Sequence, residues 1–134
     1  MTFAISGLYI SLTAILVVVL AMRVVKLRRL HKVGIGTADN RALELACRVH
    51  GNLVENAPFV LLLMVVAESQ GLAPLWLHIV GISWIVARLL HAMGLTQGNG
   101  GYHYGRFMGG LISWLLVLTL SVVNIIFFAF SAFS

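Results

Sequence analysis

Apolar residues dominate the chain in four long runs, and the second run is interrupted by a polar stretch that the others lack. Thr2 to Met22 carries no charge over twenty-one residues, and Phe107 to Ser134 none over twenty-eight. Either segment is long enough to cross a hydrocarbon core of roughly 30 Å as a helix. Two further runs lie between them, so the pattern predicts helices over about 3–25, 39–69, 74–93 and 106–130. The expected fold is an all-α membrane protein, a four-transmembrane-helix bundle forming one domain over 1–134. Asp39 and Asn40 supply a start for the second helix, and Pro58 is placed to kink it. Gln70, Gly71 and Pro74 mark a short turn, and Gly94 to Gly105 reads as the longest polar loop. That loop lacks the lysine and the strand context of a phosphate-binding loop. Gly105 and Gly109 stand at the GxxxG spacing that permits close helix contact.

The interrupting stretch, RALELACRVHGNLVENAP over Arg41 to Pro58, is where candidate chemistry concentrates. At roughly 100° per helical residue, Arg41, Glu44, Arg48, Asn52 and Glu55 fall in one sector and form a polar stripe. Ionisable side chains are costly within a membrane and mark a candidate functional site. The stripe descends from the basic end of the helix, with Arg48 about two turns below Arg41 and Glu55 about two turns below Arg48. Arg88 and His91 near the end of the third helix, and Arg106 at the head of the fourth, belong at a similar level. Arginine forks bind carboxylates through paired, charge-assisted hydrogen bonds. Glu55 and Asn52 add acceptors and an amide, so a peptide-like zwitterion fits better than an inorganic anion. The alternative is that Arg48 pairs with Glu44 or Glu55 in a ladder that joins helices or subunits without touching a ligand. His50 points roughly 160° away from the stripe and reads as a helix contact.

Charge adds orientation. The formal charge is +5, and the nine Lys and Arg all lie in or beside the first and third connections. Those connections are expected on the cytoplasmic side, with both termini opposite. Basic residues at the ends of apolar runs are orientation signals, which argues against nucleic acid as a partner. The first span lacks a basic leader and reads as a retained helix. Cys47 is the single cysteine, and the histidines have no metal-ligand spacing, so no metal is expected. Asp39 is the only aspartate and no serine sits in a nucleophile context, which leaves a Ser-His-Asp mechanism unsupported. Trp76, Trp84 and Trp114 read as interface anchors or packing residues.

Over Arg48 to Pro58 the order R-x-H-x-N-x-x-E-x-x-P, carried on the second of four spans, resembles the signature of the MAPEG family, the membrane-associated proteins in eicosanoid and glutathione metabolism. The resemblance extends over nearly the whole chain in length, span number and basic first connection. Arg88-Leu-Leu-His91 is similar to an R-x-x-H at the end of the third helix in the prostaglandin synthase branch. Arg106 resembles the arginine that contacts the glutathione sulfur in catalytic members. The resemblance implies that Arg48, Asn52 and Glu55, with Arg88 and His91, bind glutathione, and that Arg28 or Arg29 reaches it from a neighbouring first helix. It further implies a homotrimer with sites between subunits, Arg106 as the catalytic residue and glutathione as cosubstrate. Leu95 and Gly110 replace tyrosines that several members carry. Tyr104, in the loop beside Tyr102, is the candidate glutathione contact in their place. Phe107 stands where the prostaglandin synthase branch has serine, which argues against that isomerase activity and for a bacterial-type member.

The expected function is a glutathione-dependent transferase or peroxidase acting on hydrophobic electrophiles dissolved in membrane lipid, in a bacterial inner membrane. The alternative is a non-catalytic lipid-binding or scaffold protein of the same family. The Arg48, Asn52, Glu55 and Arg106 set favours the enzyme, and the absent tyrosines favour the scaffold. A transporter or channel subunit fits less well, because no polar path continues through Phe59 to Ala67.

Overall fold

The computed structural model describes residues 3–133, and nothing but helices and their connections is found among them. The helices are α1 (Ala4–His31), α2 (Arg41–Ser69), α3 (Pro74–Gln97) and α4 (Tyr104–Ala132). Each is long and apolar enough to span a membrane. The chain is thus an all-α integral membrane bundle. Helices α2 and α3 pack on each other and each touches both α1 and α4, whereas α1 and α4 do not meet. The polar-striped helix is therefore central, and the two least polar helices flank it.

Four helix ends lie beyond the limits that the apolar runs mark, the last being the end of α4 at Ala132. α1 continues from Val25 through the basic cluster to His31 and closes with Lys32 in the left-handed region at φ 55°. Val33 N–H donates back to Arg28 O at 3.0 Å, and Arg28 and Arg29 place positive charge on the carbonyl end of the helix dipole. The apolar run stops where the lipid stops, but the helix need not. α3 likewise runs past Met93 to Gln97, because Gly94 and Leu95 are buried against the bundle. α4 begins at Tyr104, its first turn capped by His103 Nδ1, which accepts from Gly105 N–H. The expected loop over Gly94 to Gly105 shrinks to residues 98–103. α2 stays helical through Pro58.

Close approach of α3 and α4 rests on glycines. A Cβ at Gly109 would overlap Ala87 O and lie 2.7 Å from His91 N, and one at Gly94 would overlap the backbone of Arg106. The Gly105/Gly109 spacing is thus used inside the chain. Below this contact the core is built on Trp84, Met64, Leu53, Leu77, Leu120 and Tyr9. Trp84 Nε1–H donates to Thr13 Oγ1 at 3.0 Å, and Tyr9 Oη lies 2.9 Å from His78 Nδ1. Trp84 is a packing residue, whereas Trp76 and Trp114 are exposed at the bundle surface. At the same end as His78, Glu68 accepts from the backbone N–H groups of Ile5 and Ser6 and so caps α1 from across the bundle.

Candidate functional site

At the opposite end the head of α2 meets the third connection, and α1 meets the end of α3. Arg41 Nη2 donates to Asn99 O at 2.5 Å, and Arg23 Nη1 donates to Thr96 Oγ1 at 3.1 Å. Gly100 has φ +81°, and a Cβ there would overlap the Arg41 guanidinium, so both backbone conformation and space call for glycine. These contacts close one wall of a cleft of about 220 Å³ between α2, the end of α3 and the head of α4.

Four of the residues singled out from the sequence line this cleft together: Arg48, Asn52, His91 and Arg106, with Arg41, Glu44, Leu45, Leu95 and Gly100 around them. Three guanidinium groups face one carboxylate across it, and Glu44 is already held by Arg41 at 2.8 Å. The cleft therefore favours an anion. Arg106 donates from Nη1 to the carbonyls of Gly100 at 2.5 Å and Gly101 at 3.0 Å, which fixes its side chain across the cleft mouth. No other hydrogen bond of this guanidinium to a described residue is present.

A second, mostly apolar groove of about 430 Å³ adjoins the cleft along α4. Phe107, Gly110, Leu111 and Trp114 line it from α4, with Tyr102 and His103 from the connection. Asn52, His91 and Arg106 line both cavities. A polar compartment and an apolar one thus meet at an amide, an imidazole and a guanidinium.

The remaining candidates are placed elsewhere. Glu55 lies outside the cleft lining and pairs with Arg48 at 3.7 Å, both side chains being about 60% exposed (61% and 59%). An exposed pair at this distance contributes little to stability, so the ladder alternative is present in outline without closing the site. Arg28 is held within its own chain, donating to Val33 O, Gly34 O and Gly36 O of the first connection and, at 3.7 Å, to Cys47 Sγ on α2. Arg29 lies on the outer face of α1, lining a separate groove with Met22 and Lys26. Neither reaches the cleft of its own chain; the resemblance assigned that reach to a neighbouring copy. Tyr104 is exposed at the first turn of α4 and lines neither cavity, and Tyr102 is the tyrosine that does. His50 stays out of both linings, as its angle on the helix predicts.

Arg88 differs most from its expected role. It is 3% exposed and lies behind Asn52, bonded within the bundle. Its Nη1 donates to Asn52 Oδ1 at 2.9 Å, and its Nη2 donates to Gly109 O at 2.8 Å and Ser113 Oγ at 2.5 Å. Its guanidinium carbon sits 5.0 Å from the centroid of the Trp84 ring. Ser113 was not a candidate from sequence. Its signal is the seven-residue step from Arg106, which puts both on one face of a helix.

The MAPEG family profile matches residues 6–126, almost the entire described bundle. The chain belongs to the MAPEG family. Among curated relatives, it is 31% identical over 125 residues to the inner membrane protein YecN of Escherichia coli K12, covering 90% of each chain. The same figures hold for YecN of Escherichia coli O6:H1. No solved structure matches the chain significantly. The motif over Arg48 to Pro58 thus points to the family that the profile matches, and MAPEG membership supports a role related in general to glutathione or eicosanoid metabolism. Four spans and an inner membrane relative make it an integral inner membrane protein.

Proposed function

We propose that the chain is a glutathione-dependent transferase or peroxidase for hydrophobic electrophiles held in the bilayer. The observation that carries this reading is the sharing of Asn52, His91 and Arg106 between a cationic cleft and an apolar groove. The cleft suits the charged tripeptide, and the groove suits an apolar second substrate entering from lipid. Glutathione, when bound, supplies a nucleophilic thiolate. Arg48 and Asn52 would hold the tripeptide, and Arg106 would favour the sulfur as thiolate over thiol through its adjacent positive charge. Leu95 and the buried ring of His91 limit water at the base of the cleft.

At about 220 Å³ the cleft is smaller than the roughly 300–1,000 Å³ of most ligand sites. The exposed Arg48 and Glu55 side chains would be costly in lipid. Both facts support a homotrimer in which a neighbouring copy completes each site and brings Arg28 or Arg29 toward it. The basic first and third connections, together at one end of the bundle, support a cytoplasmic opening.

Arg106→Ala in purified protein is expected to abolish the ultraviolet thiolate absorbance that glutathione develops on binding. It is also expected to lower kcat/KM toward a small apolar electrophile by about 10²–10³-fold, the usual loss for one charge-stabilising donor. Unchanged thiolate absorbance would remove Arg106 from the chemistry. A second reading, a non-catalytic lipid-binding scaffold, draws on Leu95 and Gly110, which place no hydroxyl in either cavity. It predicts no thiolate signal in the wild type.

A further inference from the structure

Among the described residues, Arg88 is the buried member of the Lys and Arg set, and no carboxylate neutralises it. The chain has four acidic residues. Glu44 pairs with Arg41, Glu55 with Arg48, and Glu68 caps α1 at the far end, while Asp39 lies in the first connection. Arg88 Nε is buried with no hydrogen-bond partner. A buried cation whose contacts are all neutral is costly to maintain, and its three neutral acceptors sit on two different helices. One is Asn52 Oδ1 on α2; the others are Gly109 O and Ser113 Oγ on α4.

The bond to Asn52 decides which end of that amide faces the ligand space. Only the oxygen of an asparagine side chain can accept from a guanidinium, and turning the amide over would set two donors against each other. With Oδ1 held by Arg88, the NH2 group is the part of Asn52 left for the cavities that it lines. Gly109, held by the same guanidinium, stands three residues beyond Arg106 on α4. One side chain therefore ties the amide on α2 to the helix that carries Arg106.

We infer that Arg88 is a positioning residue: it fixes the Asn52 amide as a hydrogen-bond donor at the junction of cleft and groove, and so selects a ligand that presents an anionic acceptor, a thiolate or carboxylate, at that point. The inference rests on the reading of the cleft as a ligand site, but the state of the amide is measurable without any ligand.

The test uses full-length protein in micelles with ¹⁵N-labelled asparagine side chains, Asn52 being assigned through its loss in Asn52→Gln. In the wild type without ligand, the Asn52 NH2 signals are expected to be resolved and shifted away from those of the exposed Asn99, because the Arg88 guanidinium on Oδ1 holds and polarises that amide. In Arg88→Lys they are expected to move to the positions of Asn99, because an ammonium cannot span Asn52, Gly109 and Ser113 together. Wild-type Asn52 signals that coincide with those of Asn99 overturn the inference, and this reading stands even if Arg88→Lys does not fold. Unmoved Asn52 signals in a folded Arg88→Lys overturn it equally.

Glutathione titration provides the second arm. Arg88→Lys is expected to weaken binding about tenfold, the effect of one charge-assisted hydrogen bond. Ser113→Ala leaves the Asn52 contact in place and is expected to weaken binding by a smaller factor. Losses in both variants that simply track their fall in melting temperature assign Arg88 a structural role alone and overturn the inference. A shifted Asn52 amide in a wild type that binds no glutathione would overturn the glutathione reading and leave the pairing of Arg88 with Asn52 intact.

Discussion

Gly109 and Gly110 are adjacent, yet a methyl group at each meets opposite circumstances. At Gly109 it would overlap Ala87 O and press on the backbone of His91, displacing the carbonyl that Arg88 uses. At Gly110 nothing lies within 4 Å. Gly109→Ala is expected to destabilise the protein by about 1–3 kcal/mol through overpacking, whereas Gly110→Ala is expected to be neutral or stabilising by up to about 1 kcal/mol from helix propensity. Thermal melts of the two variants in one detergent check this. Equal melting temperatures would show that the α3–α4 contact does not depend on Gly109. The same residues mark how far a sequence can be read at this scale. Arg48, Asn52 and Arg106 are legible as candidate site residues because polar and ionisable groups in an apolar run demand partners, and all three line one cleft. Arg88 carries the same signal but answers it with Asn52, Gly109 and Ser113 inside the bundle. Charge alone does not distinguish an arginine that meets a ligand from one that supports its neighbour.

The four helices follow directly from the apolar runs, but their ends do not, because hydropathy reports the lipid boundary and not the end of backbone hydrogen bonding. α1 keeps its helical geometry through Lys26, Arg28 and Arg29 in the polar zone, and α3 carries its helix into Gly94 and Leu95. At the other end of α1 the sequence shows no cap: Phe3 makes no capping bond and the first turn has no acid. The missing acceptor comes from Glu68, more than sixty residues away, at 2.8 Å from Ser6 N and 3.1 Å from Ile5 N. No local pattern announces such a cap. Glu68→Ala is expected to cost about 1 kcal/mol, in the range of helix N-cap losses. The Ile5 and Ser6 amides should then exchange faster in hydrogen-exchange measurements, with the cationic cleft at the far end unaffected. Unchanged exchange at those two amides would assign the cap elsewhere.

At the scale of the whole molecule, the bundle separates a structural end from a chemical end. Glu68, Tyr9 and His78 tie α1, α2 and α3 together at one end, while Arg41, Arg48 and Arg106 from α2 and α4 line a cationic cleft at the other. Trp84, bonded to Thr13 in the core, lies between them and beneath Arg88. On the function proposed above, this cleft is a glutathione site whose clamp includes Arg48 and Asn52. The direct measurement is a calorimetric titration of glutathione into the full-length protein in lipid nanodiscs, beside Arg48→Ala. A saturable heat in the wild type, weakened about tenfold or more in Arg48→Ala as a charge-assisted contact is lost, is the predicted result. Heat no greater than dilution in the wild type would contradict the claim and leave the chain as a non-catalytic member of its family.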